Sequence, residues 1–229
     1  MKKLVIFDCD GVCVDSEIIA NRIYAQSLSA LGCNITTEDM IRLFTGLSLK
    51  ATQQLILDRY GLDLGEEFFA IQSKATIDAF NTELTPLMHT ILPFLDERNI
   101  ARCVASNSNK THVLHCLEST DLFRFFTLPS IFTASQVKKG KPAPDLFLLA
   151  AAAMGYAPEN CLVIEDSRAG IQAALAAGMH VIGFLGGTHA GYDWYRDAIS
   201  KEGVPVVNDC VELQHYICDV LQLEGVRIV

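Results

Sequence analysis

The 229-residue sequence predicts an α/β protein, built on a doubly wound parallel sheet into which a helical lobe is inserted. Three observations predict this fold class. Short apolar runs recur along most of the chain, helical patterns separate them, and one interval after the first run contains helical patterns only. We therefore expect an α/β core domain over 1–15 and 82–229 and a helical domain over 16–81.

The strands are predicted from runs that are apolar along almost their whole length. Such runs are typical of parallel strands, which helices cover on both faces. The runs are KLVIF (3–7), ARCVAS (101–106), SIFTAS (130–135), CLVIED (161–166) and HVIGF (180–184), and the tail from 204 adds one short strand and a closing helix. Because strands alternate with helices, right-handed crossovers should build a Rossmann-like sheet.

Helices of the core domain are predicted at 86–98, 109–118, 144–154 and 167–177. Pro86 suits a first helical position, and Gly178 suits the position after a helix end. Pro93 lies inside the first of these segments and should kink it. The inserted lobe has helical patterns at 16–31, 38–44, 48–59 and 66–80, which Gly32, Gly46 and Gly61 separate.

Composition and charge exclude several classes of function. The formal charge of −9 and the pI near 5.1 argue against a nucleic-acid-binding surface, which needs a basic stripe. No apolar run is long enough for a membrane span, and the apolar run at 4–7 is too short for a signal-peptide core. The eight cysteines contain no C-x-x-C pair, and several lie in apolar runs, which predicts a reduced, cytoplasmic protein.

Polar residues follow the predicted strands at the points where the strands end. They are Asp8 and Asp10 after the first strand, Ser106 and Asn107 after the second, and Glu165, Asp166 and Ser167 after the fourth, with Lys141 in KKGKPAPD between the third and fourth. In an open parallel sheet, ligands bind outside the carboxyl ends of the strands. We therefore expect these groups to meet at one rim of the sheet.

The residue types at this rim predict phosphoryl transfer. Clustered carboxylates repel one another and require a cation, and a set of oxygen ligands suits Mg²⁺. One carboxylate can then attack phosphorus to form an aspartyl-phosphate, and a second can protonate the leaving oxygen and later activate water. Ser106 and Lys141 can bind the phosphoryl oxygens. Taken alone, Asp8 and Asp10 favour a helix cap or a solvated turn, and it is the other motifs in register that favour a catalytic role.

Four ordered segments carry a family resemblance: DCDGVCVDSE, ASNS, KGKPAPD and VIEDSRAGIQAALAAGM. In order and spacing they resemble the motifs of the haloacid dehalogenase-like hydrolases, in particular the capped phosphatases and beta-phosphoglucomutase-like members. The resemblance covers residues 3 to about 185. It implies Mg²⁺ as the cofactor, and it implies a role for each of seven residues: Asp8 as nucleophile and metal ligand, Asp10 as acid/base with its backbone carbonyl on the metal, Ser106, Asn107 and Lys141 as phosphate-binding groups, and Glu165 and Asp166 as metal ligands.

Two features of the sequence narrow the implied activity. Dehalogenases of the family lack an aspartate at the position of Asp10, because halide leaves without a proton. Hexose phosphomutases carry a histidine in the first cap helix and an arginine in the cap loop, where this sequence has Ala20 and Leu49. The resemblance therefore implies a phosphatase for a small phosphorylated metabolite, such as a sugar phosphate or a phosphoglycolate-like compound. A sugar phosphomutase and a phospho-aspartate signalling receiver are the alternatives.

Several other residues are expected to be structural or selective. Asp15 is predicted to cap the helix that begins at Ser16–Glu17, and Ser167 either caps the next helix or belongs to the site. The six histidines form no ligand spacing and are predicted to be non-catalytic. The inserted domain is expected to close over the substrate, with selectivity set around Ala20, Arg22, Thr45, Gly46 and Lys50. The oligomeric state stays open.

Overall fold

The computed structural model describes residues 3–44 and 49–222 and divides into two compact units. One unit runs up to Asp15 and resumes at Thr85, and the other spans Ser16–Leu84. Thr45 and Gly46, two of the residues expected to set selectivity, lie outside the described residues.

The first unit contains a sheet of six strands, and every neighbouring pair runs parallel. The strands are β1 (Leu4–Phe7), β2 (Ala101–Ser106), β3 (Ile131–Thr133), β4 (Cys161–Glu165), β5 (His180–Phe184) and β6 (Val206–Val207). Their spatial order is β3-β2-β1-β4-β5-β6, so the direction of winding reverses between β1 and β4. The predicted doubly wound α/β fold is confirmed.

The described residues contain ten α-helices. They are α1 (Glu17–Ala30), α2 (Thr37–Phe44), α3 (Leu49–Tyr60), α4 (Glu66–Glu83), α5 (Ile91–Glu97), α6 (Lys110–Ser119), α7 (Asp145–Met154), α8 (Arg168–Ala176), α9 (Asp193–Ser200) and α10 (Cys210–Leu221). None of the helices in this part of the chain is long and apolar enough to cross a membrane.

The register of the central strands aligns their carboxyl ends. All four residues of β1 are fully buried, as expected of a strand covered on both faces. Phe7, the last of them, lies opposite Val104 of β2 and Ile164 of β4. The residues that follow these three positions therefore emerge at the same edge of the sheet.

The inserted unit, Ser16–Leu84, has an apolar core of its own. The core joins residues from the helices and from the turn after α1: Ala25, Leu28, Cys33, Ile35, Met40, Phe44, Ile56 and Phe69. Two polar contacts join α1 to α4: Ser27 donates a hydrogen bond to Gln72 (2.8 Å), and Arg22 forms an ion pair with Glu83. These helices follow the four helical patterns of the sequence closely.

The helix predicted over 86–98 is shorter than expected, and the role given to Pro86 is wrong. Residues 85–87 pair with the backbone after β1 instead: Leu87 N donates to Cys13 O (2.8 Å), and Pro86 forms an isolated antiparallel bridge with Val14. Pro93 is consequently the third residue of α5. Proline lacks a backbone N–H but is tolerated in the first turn of a helix, so this position does not require the predicted kink.

The helix α9 was not predicted from the sequence, because it follows a glycine-rich segment and is short. Its buried residues are Tyr195 and Ile199, which are four residues apart and so lie on one face of the helix. Gly178 was predicted correctly as a helix end: it follows α8 with a φ of +72°, in the left-handed region that favours glycine.

Candidate active site

Asp8 lies at the centre of the rim, directly after β1. Its backbone N–H donates to Ile164 O (3.1 Å), which continues the pairing with β4 for one more residue. One carboxylate oxygen, Oδ1, lies 2.9 Å from Lys141 Nζ. That oxygen is buried and accepts no well-directed hydrogen bond from the described residues, so the lysine contact is an ion pair with poor hydrogen-bond geometry. Asp8 thus has an oxygen available for a ligand.

Lys141 is held between two carboxylates, although a loop carries it. Its ammonium group contacts both Asp8 and Glu165, and its side chain is almost fully buried. Burial lowers the pKa of Lys141, but the two carboxylates raise it further, so the pKa stays above its usual value and the charge is retained. The predicted convergence of Lys141 with the strand ends is found in the structure.

The side chain of Asn107 fixes the backbone of Lys141. The Asn107 carbonyl oxygen accepts from Lys141 N (2.9 Å), and the amide donates to Lys141 O (3.0 Å). Gly140 permits this approach, because a Cβ at residue 140 would lie 2.5 Å from Asn107 Oδ1. Asn107 therefore positions the lysine through its side chain, and its predicted contact with phosphate stays a prediction.

Three buried carboxylates, those of Asp8, Glu165 and Asp166, each place an oxygen within 4.8 Å of the other two. Burial, and then the nearby negative charges, raise the pKa of Asp8 well above its usual range, and burial also raises that of Glu165. Lys141 is the one cation among the described residues in direct contact with Asp8 and Glu165. Three carboxylates beside one ammonium group fit a divalent cation bound through oxygen.

Two glycines allow the carboxylates to pack this closely. A Cβ on Gly11 would lie 2.1 Å from Asp166 Oδ2, and Gly11 has a φ of +73°. A Cβ on Gly170, in α8, would lie 1.9 Å from the carboxylate carbon of Glu165. The glycines in DCDG and SRAG are thus explained by the acids beside them.

Ser167 has both of the roles that the sequence left open. Its hydroxyl accepts from Gly170 N (3.1 Å) as the N-cap of α8. The same hydroxyl donates to Glu165 Oε2 (2.9 Å). Glu165 therefore has one oxygen on Lys141 and the other on Ser167.

Asp10 is held by two side chains that the sequence analysis did not assign to the site. Ser108 Oγ donates to Asp10 Oδ2 (2.7 Å), and His112 Nε2 lies 2.8 Å from Asp10 Oδ1. Burial lowers the pKa of His112, but the Asp10 carboxylate raises it by more, to about 11. Asn109 caps α6 by accepting from His112 N (2.9 Å), so His112 is in the first turn. Asp10 is consequently fixed beside Asp8.

The predicted phosphate ligand Ser106 ends β2 and is buried. Its hydroxyl accepts from Ser108 N (3.1 Å). The helix after it is capped by Asn109 and not by Ser106. Its role in binding phosphate stays a prediction.

The six histidines are predicted to be non-catalytic, yet two of them contact site carboxylates. His112 contacts Asp10, and His189 Nε2 lies 2.8 Å from Asp166 Oδ2 with its ring fully buried. Both contacts join residues far apart in sequence, which is why no spacing revealed them. The sequence signal for the role of His112 was its position in the first turn of α6, the helix that follows β2.

Asp15 does not have the predicted role of helix cap. Ser16 occupies the N-cap position of α1, while Asp15 Oδ1 accepts from the backbone N–H (3.0 Å) and the hydroxyl (3.1 Å) of Thr188. The backbone N–H of Asp15 donates to Thr85 O (3.0 Å), which keeps residue 15 with the core segment. Asp15 therefore ties the end of the first segment to the loop after β5.

Named relatives cover most of the chain. This chain is 29% identical over 186 residues to the 6-phosphogluconate phosphatase of Escherichia coli, and the match covers 81% of this chain and 83% of the relative. It is 32% identical over 181 residues to the E. coli fructose-1-phosphate phosphatase YqaB, covering 78% and 94%. It is 31% identical over 200 residues to the beta-phosphoglucomutase of Bacillus subtilis, covering 79% and 82%.

The fold has solved counterparts of the same size. A conserved haloacid dehalogenase-like protein of unknown function from Agrobacterium tumefaciens superposes with a TM-score of 0.84 at 32% identity, over 96% of this chain and 100% of the other. The sequence profile of the family described as haloacid dehalogenase-like hydrolase matches residues 5–184. This match and the phosphatases among the relatives confirm the predicted enzyme class, a phosphoric monoester hydrolase. The chain belongs to the haloacid dehalogenase-like hydrolases.

Proposed function

We propose that this protein is a magnesium-dependent phosphatase that hydrolyses a small phosphorylated metabolite through an aspartyl-phosphate on Asp8. The observation that carries the proposal is the setting of Asp8. It is buried at the end of β1, has an oxygen without a well-directed donor, and lies beside both the Lys141 ammonium and the fixed Asp10 carboxyl group. A nucleophile, a cation for the phosphoryl oxygens and an acid/base therefore stand side by side.

In the proposed reaction, a carboxylate oxygen of Asp8 attacks phosphorus and the bond from phosphorus to the ester oxygen breaks. Asp10 enters this step protonated and gives its proton to that oxygen, so that an alcohol leaves. Asp10, now ionised, takes a proton from a water molecule, and this water attacks the phosphorus of the aspartyl-phosphate. Inorganic phosphate is released and the Asp8 carboxylate is restored. Ser106 and Lys141 would bind the phosphoryl oxygens throughout.

Mg²⁺ would be held by Asp8, Asp166, the Asp10 backbone carbonyl and Glu165, where it would neutralise charge on the transferring phosphoryl group. The three carboxylates already lie close enough to share one ion. Because both oxygens of Glu165 have protein partners, Asp8 and Asp166 are the stronger candidates for direct ligands. Glu165 would then act chiefly by fixing Lys141.

We propose a sugar phosphate as the substrate class, and a phosphoglycolate-like compound as the second choice. Two of the relatives are named for 6-phosphogluconate and fructose 1-phosphate. The inserted unit is proposed to select among such compounds. All eight cysteines are free, which supports the proposed reduced, cytoplasmic location.

The test is phosphate release from a panel of sugar phosphates, phosphoglycolate and nucleotides, with and without Mg²⁺. We expect release to require Mg²⁺, and we expect Asp8→Asn to abolish it because an amide is not a nucleophile. Lys138→Ala, which removes an exposed lysine from the loop of Lys141, is the matched control and should retain activity. Full activity of a folded Asp8→Asn variant would exclude Asp8 as the nucleophile.

A sugar phosphomutase is the second candidate, which the similarity to the B. subtilis beta-phosphoglucomutase favours. Ala20 and Leu49 stand where the family's mutases carry histidine and arginine, which favours hydrolysis instead. Incubation with a hexose 1-phosphate separates the two activities: a mutase would form more 6-phosphate than free phosphate. A signalling receiver, the least supported alternative, would keep its phospho-aspartate far longer than a phosphatase.

A further inference from the structure

A second group of metal-ligating side chains lies beside Asp10 and uses sulfur. Cys9 Sγ, an Asp10 carboxylate oxygen and Cys116 Sγ all lie within 4.8 Å of one another. His112 Nε2 lies 2.8 Å from Asp10 Oδ1 and 3.5 Å from Cys116 Sγ. The proposed phosphatase reaction uses neither cysteine. Two thiols and a carboxylate thus lie close together, and the His112 imidazole contacts the carboxylate and one of the thiols.

Two local features bring these four residues together. His112 and Cys116 are four residues apart on α6 and share one face of that helix. Cys9 and Asp10 are adjacent in the loop after β1, which lies next to β2, the strand that leads into α6. Each element therefore contributes a pair of ligands, and the pairs face each other across the end of the sheet.

The ligand types suit a tetrahedral zinc site, and His112 lies close enough to Asp10 and Cys116 to join them in it. Bonds of about 2.0–2.3 Å to nitrogen, oxygen and sulfur at tetrahedral angles put neighbouring ligand atoms about 3.3–3.8 Å apart. The contacts of 2.8 and 3.5 Å at His112 need only small adjustments to reach those values. Thiolate ligands select zinc-like cations, whereas Mg²⁺ prefers the oxygens of Asp8, Glu165 and Asp166. The two sites would therefore sort their ions by ligand chemistry.

An ion can reach this site from the solvent side. Both cysteine side chains are buried, but the side chains of Asp10 and His112 are 15% and 25% exposed to solvent. Those two groups would form the entrance, and the sulfurs would form the floor.

We propose that Cys9, Asp10, His112 and Cys116 form a zinc(II)-binding site and that zinc bound there inhibits the enzyme by holding the Asp10 carboxylate. Binding replaces the protons of the thiols and of the imidazole, which leave to solvent, and involves no redox step. The inhibition rests on the proposed role of Asp10 as acid/base, whereas the binding does not.

Binding is tested with Co²⁺ as a spectroscopic substitute for Zn²⁺, added to the full-length protein in a phosphine reductant and excess Mg²⁺. We expect one equivalent to give the near-ultraviolet charge-transfer band of thiolate-bound cobalt, and Zn²⁺ to remove it. Cys116→Ser and Cys9→Ser should each lose most of this band. Cys161→Ser, which changes a buried cysteine in β4, is the matched control and should keep it. Absence of the band in the wild type, or its persistence in Cys116→Ser, would overturn the site.

Inhibition is tested by titrating Zn²⁺ against phosphate release in excess Mg²⁺. We expect the half-inhibiting concentration to rise about tenfold or more in Cys116→Ser and to stay unchanged in Cys161→Ser. Equal inhibition of all three proteins would place the effect at the magnesium ligands instead and refute the inhibitory role. If no substrate releases phosphate from the wild type, the proposed function fails, while the cobalt spectrum still decides the site.

Discussion

Asp8 and Asp10 are one residue apart but have different surroundings. Asp8 contacts Lys141 and lies among other carboxylates, whereas Asp10 accepts hydrogen bonds from Ser108 and is paired with His112. A carboxylate beside an ammonium group is suited to attack phosphorus. A carboxyl group whose orientation is fixed by hydrogen-bond partners is suited to transfer a proton to one particular atom. The same residue type can therefore serve both proposed steps.

His112 is predicted to act as a positioning residue for Asp10. In His112→Asn the Asp10 carboxyl group loses a partner, so proton transfer to the leaving oxygen should slow. We expect kcat to fall about tenfold or more for an alkyl phosphate, and less for p-nitrophenyl phosphate, whose leaving group needs no proton. Steady-state kinetics on both substrates measure the difference.

His115→Asn, on the same helix, is the control for this prediction and should leave both rates unchanged. Equal losses with both substrates in His112→Asn would mean that His112 is merely structural.

At the scale of elements, α8 approaches β4 closely because Gly170 has no side chain. The carboxylate of Glu165 occupies the space that a Cβ at residue 170 would fill, and the N-cap Ser167 binds the same carboxylate. The start of α8, the end of β4 and the buried carboxylate of Glu165 therefore pack directly against one another. This packing sets the direction of Glu165 toward Lys141.

Gly170→Ala is predicted to destabilise the fold and to disturb Lys141. Because the new methyl group would overlap the Glu165 carboxylate, we expect a loss of about 1–3 kcal/mol in the free energy of unfolding. Urea denaturation measures it, with Gly191→Ala as control, since a Cβ there meets nothing within 4 Å. A change in Gly170→Ala no larger than in Gly191→Ala would contradict the packing described here.

The two elements that were predicted incorrectly have different physical causes. The expected helix at Pro86 is replaced by an extended segment, because residues 85–87 pair with the backbone around Cys13 and Val14. Local propensity does not reveal such a partner, since the partner lies some 70 residues away in the sequence. α9 escaped prediction because it is only eight residues long and follows a glycine-rich segment, so its apolar pattern extends over about two turns.

At the scale of the whole molecule, the rim concentrates negative charge in a buried place. Asp8, Glu165 and Asp166 share one site, and burial raises the pKa of Asp8. Without a cation, this arrangement opposes the stability of the fold, because like charges repel more strongly away from water. A bound divalent ion would reverse the sign of this contribution.

Magnesium is therefore predicted to stabilise the protein, and removal of Asp8 to abolish that effect. At a hundredfold excess over its Kd, Mg²⁺ should add about 2.7 kcal/mol and raise the thermal midpoint by about 5 °C or more. In chelator, Asp8→Asn should melt above the wild type, because it removes one buried charge, and Mg²⁺ should shift its midpoint little. Differential scanning fluorimetry with EDTA and then Mg²⁺ measures both effects. An equal Mg²⁺ shift in the two proteins would place the ion elsewhere.

The sequence by itself determined the fold class and the motif residues of the rim. Apolar runs fix which segments become parallel strands, and parallel strands share one carboxyl edge, so Asp8, Lys141 and Glu165 could be expected to meet. Only the tertiary structure decided what surrounds Asp10. His112 and Cys116 reach it because β2 pairs with β1 in one register and Asn109 then caps the start of α6. Contacts across about 100 residues depend on that register and on a helix cap, and neither leaves a repeating pattern in the sequence.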